Sequence, residues 1–135
     1  MAGWGTGSFE NEDAQSFLGR LNSLGVDDLK QMLTHAADKD YLEAPESGAV
    51  VAAAEVVAAL VAAANDETSS PATPRQILDW ISKSKGGVPP DLVEAARQAV
   101  EKVRTNSELK DLWLEAEGLN EWSAALRELK ERLSC

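Results

Sequence analysis

Between Gly48 and Asn65 the chain reads GAVVAAAEVVAALVAAAN, an alanine and valine run broken by a single carboxylate, Glu55. No other segment restricts the fold so tightly. Alanine has the highest helix propensity of any residue, so the run is expected to be helical. A helix that is apolar all round cannot lie on a surface in water; it either crosses a membrane or is enclosed by other elements. The membrane reading is the weaker one. Glu55 lies mid-run, alanine dominates over leucine, and the apolar residues fall short of the roughly 20 that a spanning helix needs. The run is therefore expected at the centre of a globular fold, where small alanine side chains let neighbouring helices approach closely.

The enclosing elements are visible as apolar stripes of helical period. Ala14, Phe17, Leu18, Leu21 and Leu24 form the stripe of a first helix, with Asn11 as its cap, Glu12 and Asp13 in its first turn and Gly25 as its C-terminal cap. Leu29, Met32, Leu33, Ala36 and Ala37 give a second helix over about 27–39, with Asp27 and Asp28 at the positive end of its dipole. Pro45 and Gly48 then read as a connection leading into the alanine helix. Thr73, Pro74 and Gln76 make a capping box, so a fourth helix is predicted from Pro74 with Ile77, Leu78 and Ile81 facing inward. Pro90 opens a fifth, with Leu92, Val93, Ala96, Ala99, Val100 and Val103 on one face. Two shorter helices follow, about 107–117 and 120–134, separated by Gly118 and capped by Ser107 and Asn120.

No segment alternates with a period of two, so no strand is predicted. The expected fold class is all-α: one compact domain over residues 1–135, of about seven helices, mostly antiparallel neighbours around the alanine-rich one. Within it, residues 1–12 are expected to form an ordered N-terminal turn. Residues 65–73, rich in small polar side chains and proline, have the composition of a mobile loop.

Charge narrows the function classes. The formal net charge is −10, which argues against a nucleic-acid partner, because neutralising phosphates needs clustered lysine and arginine. The surplus is uneven: residues 1–70 hold 3 basic and 12 acidic side chains, whereas residues 71–135 hold 10 and 11. An acidic front half suits a basic protein partner; of the four tryptophans (Trp4, Trp80, Trp113 and Trp122) most are expected in the core, with Trp80 or Trp113 as the candidates for an aromatic interface and self-association. The single cysteine, Cys135, allows no intramolecular disulfide, and the start of the chain shows no basic segment followed by an apolar core. A cytoplasmic location is the expectation.

The opening, GWGTGSFENEDA, raises a ligand-binding alternative. Gly3, Gly5 and Gly7 precede a helix start, an arrangement that can present backbone N–H groups to an anion. Ser8 and Phe9 stand where a Walker-type loop needs lysine, however, and Glu10, Glu12 and Asp13 would repel a phosphate. The same residues are accounted for by a tight turn, with Trp4 and Phe9 as apolar anchors that seat the first helix. Glu10, Asn11, Glu12 and Asp13 also offer oxygen ligands to a hard cation, although their spacing is not that of a calcium-binding loop. His35, the only histidine, is the one side chain suited to proton transfer near neutral pH. No cofactor motif is present.

Met1 to Phe17, MAGWGTGSFENEDAQSF, resembles the opening of a bacterial family catalogued as domain of unknown function 4259, whose members begin with a W-G-x-G-x-F pattern followed by one like N-D-x-A. The YLE at Tyr41–Glu43, the AAAEVVAAL at Ala52–Leu60 and the NSELKDLW at Asn106–Trp113 are similar to that family as well. This chain departs from it in Ala2-Gly3 where Gly-Ala is common, in Glu12 where aspartate is common and in Ser16 where an acidic residue is common. The resemblance implies a small bacterial protein and brings no assigned activity.

Two functional expectations follow. The first is a non-enzymatic interaction protein that docks a basic partner or associates with itself. The second is a small-ligand or cation binder, or a carboxylate-based hydrolase, built from Trp4, Glu10, Asn11, Glu12 and Asp13 with His35 as proton carrier.

Overall fold

The computed structural model describes residues 12–64, 75–83 and 88–133. Among them are seven α-helices: α1 (Glu12–Arg20), α2 (Val26–Asp38), α3 (Ala44–Ala64), α4 (Arg75–Lys83), α5 (Pro90–Thr105), α6 (Glu108–Glu115) and α7 (Leu119–Arg132). The fold is all-α. The described residues contain no strand, only an isolated parallel bridge between Leu42 and Ser107.

The alanine helix, α3, is the axis of the fold. It touches every other α-helix. Ala52, Ala53, Ala54, Val56 and Val57 are wholly buried on it, which is what an apolar surface on all sides requires. Its window Glu46–Ala63 has the length and mean hydropathy, 1.7, of a membrane span, a stronger match than the sequence count gave, yet 67% of that window is buried inside the fold. The other helices cover it with one apolar face each: Phe17, Leu18 and Leu21 from the α1 side, Leu29, Leu33 and Ala36 from α2, and Leu92, Ala96, Ala99, Val100 and Val103 from α5. Trp122, Leu126 and Leu129 do the same from α7.

Several boundaries differ from the sequence expectation for physical reasons. Gly25 does not end the first helix; that helix passes into a 3-10 turn at Leu21–Ser23, and Leu24 is extended. Gly25 instead starts α2, its N–H donating to the Asp28 carboxylate at 2.8 Å. Pro45 and Gly48 do not form a connection, because α3 begins at Ala44 and includes both. A proline in the first turn loses no intrahelical hydrogen bond, since those N–H groups have no partner in any helix. On α4, Leu78 is exposed and Trp80 is buried beside Ile77 instead. The Trp80 indole N–H donates to the Leu24 carbonyl at 2.8 Å, which closes the turn between the first two helices onto α4. Gly118, rather than Asn120, is the N-cap of α7, and Asn120 lies within its first turn.

Ser107 caps α6 as expected: its hydroxyl accepts the Lys110 N–H at 3.1 Å and donates to the Val103 carbonyl. The expected N-terminal turn, the loop at 65–73, the capping residues Thr73 and Pro74, and Cys135 lie outside the described residues.

Candidate functional site

The segment between α2 and α3 is short and is held at one point. The Leu42 N–H donates to the Asn106 carbonyl at 3.1 Å, and the Glu108 N–H donates to the Leu42 carbonyl at 2.7 Å. Leu42 is buried by this pairing, so its neighbour Tyr41 is turned outward and is 47% exposed. The Tyr41 hydroxyl donates to Asp111 Oδ2 at 2.7 Å. Thus YLE and NSELKDLW, far apart in the chain, form one surface.

The electrostatics of that surface register on the phenol. Its hydrogen bond to Asp111 stabilises the neutral form, desolvation acts in the same direction, and the negative charges of Asp111 and Glu108 add to both. The Tyr41 pKa is pushed up from 10.0 to about 12. Asp40, Glu43 and Glu115 are also exposed on these segments, against two half-buried cations, Lys39, which is paired with Glu46, and Lys110 on α6.

An apolar element sits among these charges. Leu114 lies one helical turn beyond Asp111, on the same side of α6, and is 56% exposed. It is the most exposed of the large hydrophobic side chains described, the others being Tyr41 itself and Leu78 on α4. Its neighbour Trp113 packs partly against the core. The surface therefore offers an exposed phenol and an exposed leucine on segments that also carry Asp40, Glu43, Glu108, Asp111 and Glu115.

The residues singled out in the sequence are placed differently. Trp4, Glu10 and Asn11 lie outside the described residues. Glu12 and Asp13 are in the first turn of α1, as expected, with side chains outside the described set. His35 is exposed in the last turn of α2. Among the described residues α1 packs on α3, α4 and the 3-10 turn and makes no contact with α2, so the structure does not bring His35 to the acidic helix start. Also among the described residues, no group of three or more His, Cys, Asp or Glu side chains is placed to share a metal ion.

Sequence reasoning passed over Tyr41, Asp111 and Leu114. The only signal for Leu114 was its position beside Trp113, which widened the apolar face of that helix beyond what one side could bury. Tyr41 and Asp111 gave no local signal, because their pairing is made by the Leu42 bridge.

The model of one protein family, described as Domain of unknown function (DUF4259), matches residues 3–125. Comparisons with curated proteins and with solved structures find no match.

Proposed function

We propose that the chain, which belongs to the DUF4259 family, is a non-enzymatic interaction module that docks a basic segment of a protein partner on the surface around Tyr41. The observation that carries this reading is the Tyr41–Asp111 pair with Leu114 beside it: exposed apolar and aromatic area next to a carboxylate whose hydrogen bond to the phenol, ahead of desolvation and the charges of Asp111 and Glu108, raises the Tyr41 pKa to about 12. An arginine or lysine arriving there finds carboxylates to pair with and a ring face on which a guanidinium can stack. Leucine adds apolar area that a solvated acidic face alone would not supply. The net charge of −10 steers a basic partner toward the molecule before contact.

The test uses a peptide alternating arginine and leucine as the probe, followed by amide chemical-shift mapping at two salt concentrations. Shifts are expected to gather at residues 41, 108, 111 and 114, with an affinity that falls as salt rises. The double variant Asp111→Asn, Leu114→Ser should lose them while the remaining spectrum is unchanged. Shifts spread evenly over the acidic surface, or unaffected by the double variant, would overturn the site. Concentration-dependent shifts at these residues without peptide would assign the surface to a second copy of the chain and would overturn the basic-partner reading.

A further inference from the structure

α4 is held to the fold by few side chains. Six of its nine residues are exposed, Ile81 is half-buried, and Ile77 and Trp80 are buried. α5, by comparison, buries six side chains and packs on α2, α3, α6 and α7. Among the described residues α4 packs on α1, the 3-10 turn and α3, and reaches no other element. Its charged residues do not tie it down either, since Arg75, Asp79 and Lys83 form no ion pair among the described residues. A helix this short is not stable by itself in water, because its first turn fixes several residues for a single hydrogen bond. It therefore persists only while Ile77 and Trp80 stay seated. Trp80 does more than fill space: its indole N–H donates to the Leu24 carbonyl at 2.8 Å. Leu24 is the extended residue after the 3-10 turn, and its own N–H donates to the Leu21 carbonyl at 3.0 Å. The indole thus grips the corner where the chain passes from α1 to α2.

We infer that α4 is a releasable strap, latched across the α1–α2 corner by Trp80, and that its release opens this corner while α2, α3, α5 and α7 stay folded. Elements with few buried apolar contacts and an exposed backbone open first, in cooperative units smaller than the whole domain. The two ends of the latch fail together. When α4 lifts, the indole and the Leu24 carbonyl both turn to water, and the corner keeps only the bonding of a three-residue 3-10 turn, which is weak by its geometry. α3 stays enclosed by the other helices that pack on it, so the opening stops there. The strap is separate from the Tyr41 surface, which lies on α6 and on the segment ahead of α3. What it bares is the apolar side of α1, the 3-10 turn and α3 beneath Ile77 and Trp80.

Native-state hydrogen exchange of the full chain, followed residue by residue in low urea, tests this. The amides of α4 and of Leu24 are expected to share one opening constant, at least about tenfold larger than that of the slowest α5 amides and less dependent on urea, because a small opening exposes less surface. Trp80→Phe, which keeps a ring and removes the donor, should raise that shared constant about fivefold, the loss of one neutral hydrogen bond. Val100→Ala weakens α5, which stays folded when the strap lifts. It should speed exchange in α5 by about tenfold or more and leave α4 and Leu24 unchanged, since the closed and open straps lose the same contact. Exchange of α4 as slow as that of α5 in the unaltered protein, a Leu24 amide that ignores Trp80→Phe, or α4 amides that speed up with those of α5 in Val100→Ala would each overturn the strap.

Discussion

Arg132, in the last turn of α7, grips both carboxylate oxygens of Glu55, the carboxylate in the middle of the alanine helix, at 2.8 and 3.1 Å. The Glu55 side chain is only 14% exposed, so this bidentate pair is what admits a carboxylate to the centre of an apolar helix. Burial of the guanidinium works against its charge, but the hydrogen bond and charge of Glu55, with Glu128 nearby, hold the Arg132 pKa above its ordinary value. Arg132→Met is expected to destabilise by about 1–2 kcal/mol, less than the roughly 3–5 kcal/mol for breaking a fully buried pair because the arginine is 43% exposed. Adding Glu55→Leu should recover most of that loss, since apolar replacement of both partners is close to neutral. Urea unfolding of the two single variants and the double variant checks this; a double variant as unstable as the sum of the singles would contradict it.

Tyr41 is the only tyrosine, so tyrosinate absorbance reports it alone. Its titration midpoint is expected near pH 12, and Asp111→Asn should bring it down toward 10.0. The folded pKa is the raised one. The pair's contribution to stability is therefore fully present below pH 10.0 and is lost as pH rises toward about 12. A midpoint near 10.0 in the unaltered protein would mean that the phenol does not rest on Asp111 in solution.

Glu101 behaves in the opposite sense. The hydrogen bond from Arg104 lowers its pKa most, burial opposes this, and the hydrogen bond from Lys130 with the charges of both cations carries the net shift below 4.5. A depressed folded pKa gives stability that is present above pH 4.5 and is lost as pH falls through the folded value. Glu101→Gln should therefore be less stable than the unaltered protein near neutral pH, with a gap that closes in acid. The side chain is 36% exposed, so the gap should also narrow in high salt. Parallel denaturant curves from pH 3 to pH 7 measure it, and a gap that does not change with pH would rule out the ion-pair origin.

The fold was legible wherever a local rule had only one outcome. An alanine–valine run apolar on all sides must be enclosed, and α3 is. Ser107 three residues before Lys110 makes a hydroxyl cap, and it does. Reading was harder where two outcomes share one pattern. A glycine between two apolar stripes can end one helix or begin the next; Asp28, three residues beyond Gly25, was the signal for beginning. Leu78 and Trp80 compete for one face of α4, and the contest is decided by the Leu24 carbonyl, a partner 56 residues away. The same holds for the Tyr41 surface, whose members meet only because α5 brings the chain back to the start of α3, so that Leu42 lies against Ser107.

Glu117 is the described residue other than glycine with positive φ, at 62°, and it ends α6 in a conformation that usually falls to glycine. The Gly118 N–H donates to the Trp113 carbonyl at 3.0 Å and the Glu117 N–H to the Leu114 carbonyl at 3.2 Å, so the paired C-terminal bonds of a Schellman motif are present with glutamate in the left-handed position. The glycine stands one residue later for another reason. A Cβ on Gly118 would lie 2.6 Å from Trp113 Cε3 and 2.8 Å from Cζ3, so the indole can fold over the start of α7 only where no side chain stands. Glu117→Gly is expected to stabilise by about 0.5–1 kcal/mol through relief of the left-handed strain, partly offset by the added freedom of the unfolded chain. Gly118→Ala should destabilise by about 1–3 kcal/mol, because the ring must leave its packing. Thermal midpoints separate the two: a rise of a few degrees for the first and a larger fall for the second, about 3–5 °C per kcal/mol in a domain of this size. Trp113→Leu combined with Gly118→Ala should lose less than the sum of the two single changes, because the clash disappears with the ring. Full additivity would mean that the indole does not lie over Gly118.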